Sequence, residues 1–258
     1  MAIPTVFPER RPALTTLRLA VDRINCSCLS CGIGRLTLNL SLLGNVNCTL
    51  IRLIEILRHY QTKATFCLNP GLYQENRSFG WIHENREVWR LSIHELVDVY
   101  NGFEICSHSM THPYLTDLPV DQLHWELQTS RHILENIFQK PVLGFCYPFN
   151  TYSDLVKDAV RSAGYKWARG NQHLKNVYPP GDPLEFHPCC HFLDQDFWGK
   201  YDRQKKRNNV FFFWGHSYEL IDETMWENFE RMIDRISSDP EAECDFVSDL
   251  LGGARDLR

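Results

Sequence analysis

Short apolar runs alternate with amphipathic helical stripes from residue 36 onward, and this alternation restricts the fold more than any other feature of the chain. Residues 36–43 alternate enough to form a strand. Leu50, Leu53, Ile54, Leu57 and Tyr60 then recur at helical spacing. A second strand is expected over 63–68, ended by Asn69-Pro70-Gly71, with a long loop from there to about Trp89. Ser92 is placed to cap a short helix reaching Tyr100. A third strand covers 103–107, and a helix over 121–138 carries Leu123, Leu127, Ile133, Leu134 and Ile137 as its apolar stripe. Next come a strand (142–147), a helix (152–163), a short strand (166–168) and a Pro- and His-rich loop (170–194). An apolar strand (210–214), a helix (223–236) and a last strand (245–247) complete the order. Strands separated by helices predict a parallel sheet, here a distorted parallel (β/α) barrel, in one α/β domain over 35–258 behind an irregular lead-in over 1–34.

Composition narrows the function classes. With 43% hydrophobic residues in 258, the chain can bury a substantial core. The net charge of -5, with both signs scattered, argues against a nucleic-acid partner. The one basic run, Arg-Gln-Lys-Lys-Arg ending at Arg207, suits a solvated helix end. Pro4, Pro8 and Pro12 interrupt the first residues, which hold no apolar stretch of signal-peptide type, and no run approaches membrane-spanning length. The expectation is a cytoplasmic protein with no membrane partner, whose ten cysteines are mostly free thiols. Cys26, Cys28 and Cys31, with Cys48 as a fourth candidate, either start a zinc site or belong to a poorly packed lead-in.

Chemistry-bearing residues gather where the strands end, which is where parallel β/α folds place their sites. His108 and His112 follow the third strand, four residues apart and closed by Pro113. Neutral imidazoles of this kind are common ligands for zinc. Tyr147-Pro148-Phe149-Asn150 follows the next strand. His216 stands at the polar tip of the face that Val210, Phe212 and Trp214 share by alternation. His59, His124 and His132 lie on helices and are expected to be solvated.

These pieces resemble the polysaccharide deacetylases, carbohydrate esterase family 4, with the NodB-like homology domain. His-Ser-Met-Thr-His-Pro from His108 looks like the family's metal motif. Lys63-Ala64-Thr65-Phe66 looks like its second strand. The stretches 144–149 and 213–219 resemble its substrate-side strand and the late segment carrying its catalytic histidine. The resemblance implies a hydrolase of carbon–nitrogen (non-peptide) bonds or of esters, removing N- or O-acetyl groups from a glycan. It implies a divalent metal, zinc by preference, on His108 and His112, with His216 as general acid. Tyr147, Pro148 and Trp214 would then face the acetylated glycan, although Trp214 also suits plain core packing.

One departure stands out. The family carries Asp-Asp at the end of its first strand, one residue as base and one as metal ligand. Here no aspartate occurs between Asp22 and Asp98, and Asn39 and Asn45 are the nearest polar residues. The arginine usual near the fourth strand is also missing, with Phe145 and Cys146 in its neighbourhood. Glu104 shares strand parity with His108 but lies about 13 Å along the strand, too far to share a metal. Cys106 is nearer and is expected to be an inert buried thiol. His187, His191 and Glu219 are loop candidates. Two functions follow: a metal-dependent deacetylase, or a pseudoenzyme that keeps a carbohydrate cleft without turnover.

Overall fold

The computed structural model describes residues 29–32, 35–38, 49–172, 177–207 and 209–251. Its first elements are an antiparallel pair, β1 (Leu29–Gly32) with β2 (Arg35–Leu38). Cys26, Cys28, Cys48, Asn39 and Asn45 lie outside the described residues, and Cys31 is described only as backbone of β1.

Next in order come α1 (Thr49–His59), β3 (Thr65–Leu68), β4 (Ser78–His83), β5 (Arg86–Arg90), α2 (Leu96–Val99) and β6 (Glu104–Ser107). The chain continues through α3 (Val120–Phe138), β7 (Gly144–Cys146), α4 (Asp154–Ser162) and β8 (Trp167–Arg169). It closes with β9 (Cys190–His191), α5 (Phe197–Lys206), β10 (Phe213–Trp214), α6 (Glu223–Ser237) and α7 (Val247–Leu250). Strands β3, β6, β7 and β8 form one parallel sheet in that order, and β9 pairs with β10, also parallel. The expected α/β class with a parallel sheet is therefore present. Among the described residues the strand pairing leaves an open four-stranded sheet and a separate pair, not a closed barrel.

Alternation along the strands explains why both faces are covered. Phe66, Leu68, Phe145 and Ala168 point into one apolar cluster with α3 and α4, while Cys67, Cys106, Cys146 and Trp167 point into another with α5 and α6. Helix α1 serves both clusters, with Leu50 and Ile54 on one side and Leu53, Ile56 and Leu57 on the other. Caps fix where the helices begin. The Ser92 side chain accepts from the His94 amide, Ser153 from Val156 and Asp222 from Met225. The basic run closes α5 as expected, with Arg203, Lys205 and Lys206 in its last turn. No helix among the described residues is long and apolar enough to cross a membrane.

Three expectations need correction. The loop before Trp89 is a hairpin, β4 with β5, turning at Glu84-Asn85, which both have positive φ (45° and 61°). That is the backbone of a two-residue hairpin turn, but Glu-Asn lacks the Asn-Gly signature that would reveal it. The expected last strand, 245–247, does not form: Asp245 and Phe246 lie in no regular element and Val247 opens the helix α7, since so short a run suits either structure. Cys67 and Cys106, register partners on β3 and β6, are joined as a disulfide, so neither is the expected free thiol and Cys106 is no spare metal ligand. Cys189, Cys190 and Cys244 are buried and stand in no disulfide.

Candidate active site

The loop that leaves β6 is held from three sides. The His108 amide donates to the Leu68 carbonyl at 2.9 Å, continuing the ladder one residue beyond the strand. Asn69 Nδ2 donates to the carbonyls of His108 and of Ser109, the latter at 3.2 Å. Thr111 donates twice to the Glu126 carboxylate of α3, from its amide at 2.9 Å and from its hydroxyl at 2.5 Å. The loop requires this support, because Ser109 and His112 sit at positive φ (67° and 65°), which costs about 1–3 kcal/mol per residue. Glu126 is itself buried, at 5% exposure. Replacing Glu126 with alanine leaves the Thr111 amide without its acceptor and is expected to destabilise the fold by about 1–3 kcal/mol. Urea denaturation checks this, and Glu126→Gln, which retains one acceptor oxygen, should cost less.

Around this loop the C-terminal ends of β6, β7, β8 and β10 enclose a cleft of about 300 Å3. His108 and His112 line it together with Tyr147, Arg169, Trp214 and His216, so all but one of the residues expected from the sequence come together. The exception is Pro148, which is buried at the start of a 3₁₀ turn; Phe149 lines the cleft beside it. Tyr147 is only 2% exposed, and its hydroxyl donates to the Leu184 carbonyl at 3.0 Å, so it serves as wall. Trp214 also lines the cleft and is not simply core.

Arg169 is the residue that sequence reasoning missed. An arginine was expected beside β7 and is absent there, but the end of β8 brings Arg169 into the same cleft, 4% exposed and 5.2 Å above the Trp214 ring. The signal was available: Trp167-Ala168-Arg169-Gly170 places a cation at the C-terminal end of a strand.

His216 is bracketed by Glu219. Its Nδ1 lies 3.0 Å from one carboxylate oxygen of Glu219, and its amide donates to the other at 2.6 Å. His191 Nε2 lies 3.0 Å from that second oxygen. Among the described residues, His191, His216 and Glu219 are the one set of three potential metal ligands with all ligand atoms within 4.8 Å of one another. His191 Nε2 and His216 Nδ1 each lie 3.0 Å from a Glu219 oxygen without hydrogen-bond geometry, so the set can share a proton or face a cation. Leu193 donates its amide to His191 Nδ1 at 3.2 Å, so the His191 proton sits on Nε2, facing Glu219. A metal-bound histidine shows the opposite arrangement, with its second nitrogen donating. Gly215, just before His216, has no room for a side chain, since a Cβ there would stand 1.6 Å from the Phe192 ring. Burial lowers the pKa of His216 against the opposing pull of Glu219. Burial alone would raise Glu219, but His216 and His191 hold its carboxyl well below the usual range.

His108 and His112 meet several requirements of metal ligands. His108 Nδ1 lies 2.8 Å from the Cys146 carbonyl oxygen and so carries the proton, leaving Nε2 as a lone pair. The two rings are 4.6 Å apart, centroid to centroid. Burial, then the neighbouring His112, pushes the His108 pKa well down, and burial pushes His112 down to about 4, so both imidazoles are neutral, the form that ligates. No third carboxylate or thiolate joins them among the described residues. Both residues fit a divalent ion by protonation, and His108 by orientation as well; they would supply two of its ligands.

The polysaccharide deacetylase family model matches residues 43–168, a span that holds the His108–His112 loop and ends before His216. A mutant of a CE4 family pseudoenzyme from Bacillus anthracis is similar in structure, with a TM-score of 0.50, 19% identity, and coverage of 79% of this chain and 62% of that one. A polysaccharide deacetylase from Bacillus cereus matches with a TM-score of 0.37 and 22% identity over 48% of this chain and 35% of that chain. A Streptococcus pyogenes deacetylase in complex with acetate matches with a TM-score of 0.37 and 17% identity, over 46% of this chain and 49% of that chain. The matched region thus spans between a third and a half of the length of these two deacetylases. No curated protein matches the chain. Through residues 43–168 the chain matches the polysaccharide deacetylase family.

Proposed function

We propose that the cleft removes acetyl groups from an N- or O-acetylated glycan with the help of a divalent metal, zinc by preference. The observation that carries this reading is that His108 and His112 occupy the same cleft as His216, all three at the C-terminal ends of strands. His108 Nε2 and the His112 ring would hold the metal, which when bound polarises an acyl carbonyl and lowers the pKa of water. His216 Nε2, the nitrogen not turned to Glu219, would give a proton to the departing amine or hydroxyl. Glu219 keeps the other proton on Nδ1 and so holds the ring in the useful tautomer. Arg169 adds a fixed positive charge to the same cleft, where negative charge develops as the acyl carbon is attacked.

A second reading is favoured by one observation. No aspartate occurs between Asp22 and Asp98, so the carboxylate expected to take a proton from water is missing from the first strand. On this reading the chain is a pseudoenzyme that retains a carbohydrate cleft. Acetate release from acetylated chitooligosaccharide, peptidoglycan fragments and acetylated xylan separates the two. The enzyme reading expects slow release, about 10²–10⁴-fold below a site with a full acid–base pair, that stops on chelation. Glycan binding with no acetate formed would support the second reading.

A further inference from the structure

A second cavity, of about 410 Å3, opens between the turn after β9, the start of α5 and helix α6. Its volume falls within the roughly 300–1,000 Å3 usual for small-molecule sites. It shares no lining residue with the cleft. Phe192 stands between the two: its ring lines the cavity, stacks against His191 at 4.7 Å and fills the space beside Gly215. The floor is apolar, built from Phe192, Phe197, Leu220, Phe229 and Met232, all buried. Methionine and phenylalanine together make a surface that adapts to the shape of an apolar guest.

The charges of α6 are divided between its faces. Glu223, Glu227 and Glu230 act on Arg52 of α1, and Asp234 and Glu230 act on Tyr60. Met225, Asn228, Met232 and Arg235, three and four residues apart, line the cavity instead. Most polar groups at its mouth are engaged. Asp194 is paired with Lys200 at 2.5 Å, and Arg231 donates to Asn228 Oδ1 at 2.7 Å. Arg235 differs. Its guanidinium lies 3.7 Å over the Trp198 ring, and no carboxylate pairs with it among the described residues. An arginine stacked by its face keeps its N–H edge for an anion, and that edge matches a carboxylate. We propose that this cavity binds a small amphipathic anion, an apolar chain or ring ending in a carboxylate. The apolar part rests on the Phe and Met floor, and the carboxylate meets the edge of Arg235. The site stands apart from the deacetylase reading and does not depend on turnover in the cleft.

The test is calorimetric titration of the full chain with octanoate, with octanol as the uncharged match and acetate as the anion without an apolar body. Octanoate should bind at one equivalent, about 3- to 10-fold more tightly than octanol, and acetate should not bind in the cavity. Arg235→Gln should remove the preference and leave octanoate and octanol equal. Asn228→Trp, a change at the exposed mouth that leaves the buried floor intact, should weaken both. Thermal melting of each variant reports folding. His108→Ala should bind octanoate as the wild type does, because a carboxylate held by metal in the cleft would be lost there. Equal binding of octanoate and octanol by the wild type would overturn the role of Arg235. No binding of either, binding that survives Asn228→Trp unchanged, or binding abolished by His108→Ala would overturn the site itself.

Discussion

Acetate release should fall by about 10²–10⁴-fold in His216→Ala, the contribution expected of one general acid. The variant leaves the metal loop untouched, because His108 and His112 take their support from Leu68, Asn69, Cys146 and Glu126. Metal content should therefore be unchanged, and a matching loss of metal would sink the assignment of His216 as proton donor. Glu219→Gln tests the positioning role through pH. A general acid works in its protonated form, so the rate falls as pH rises through its pKa. Burial already lowers that pKa, and Glu219 raises it in opposition. Removing the negative charge should move the falling limb to lower pH, with a smaller loss at the optimum than in His216→Ala. A purely structural role for Glu219 would lower the rate at every pH without moving the limb.

The fold was legible in the sequence wherever burial imposes a period. Helix α3 shows its stripe because Leu123, Leu127 and Leu134 all enter the core on one face. The His108–His112 loop was legible because two imidazoles after an apolar strand are a local signal. Arg169 was harder to find, because its place in the cleft depends on β8 lying beside β7, a tertiary fact. Glu219 could be named but not placed; only the turn that follows β10 brings its carboxylate back to His216, three residues earlier. The hairpin escaped notice because its turn residues are Glu84 and Asn85 and a bulge breaks its alternation. The Cys67–Cys106 bond escaped because residues 39 apart become neighbours only once β3 and β6 are in register.

Stability should depend on pH through Glu104, at the opposite end of β6 from His108. The Glu104 carboxyl accepts from Thr65 Oγ1 and is covered by Ser248 at the start of the last helix. Burial raises its pKa from 4.5 to about 7, while the bonds from Ser248 and Thr65 pull the other way. Between those two values the folded protein keeps a proton that the unfolded chain has released. More protons bound in the native state means that stability falls as pH rises. The contribution is complete below 4.5, declines through the window and is gone above about 7, a loss on the order of 3 kcal/mol. His108, His112 and His216 work in the opposite sense. Their folded pKa values lie below 6.5, so the stability they lend is present above that value and is lost as pH falls. The two slopes overlap, and the wild-type curve alone would hide both. Glu104→Gln separates them, since the amide keeps a neutral polar group at the same place and the histidine contribution is common to both proteins. Urea denaturation from about pH 5 to pH 8 should show the variant gaining on the wild type with rising pH, by about 1.4 kcal/mol per unit within the window. Parallel curves across the range would mean that the Glu104 carboxyl ionises as freely in the fold as in the unfolded chain.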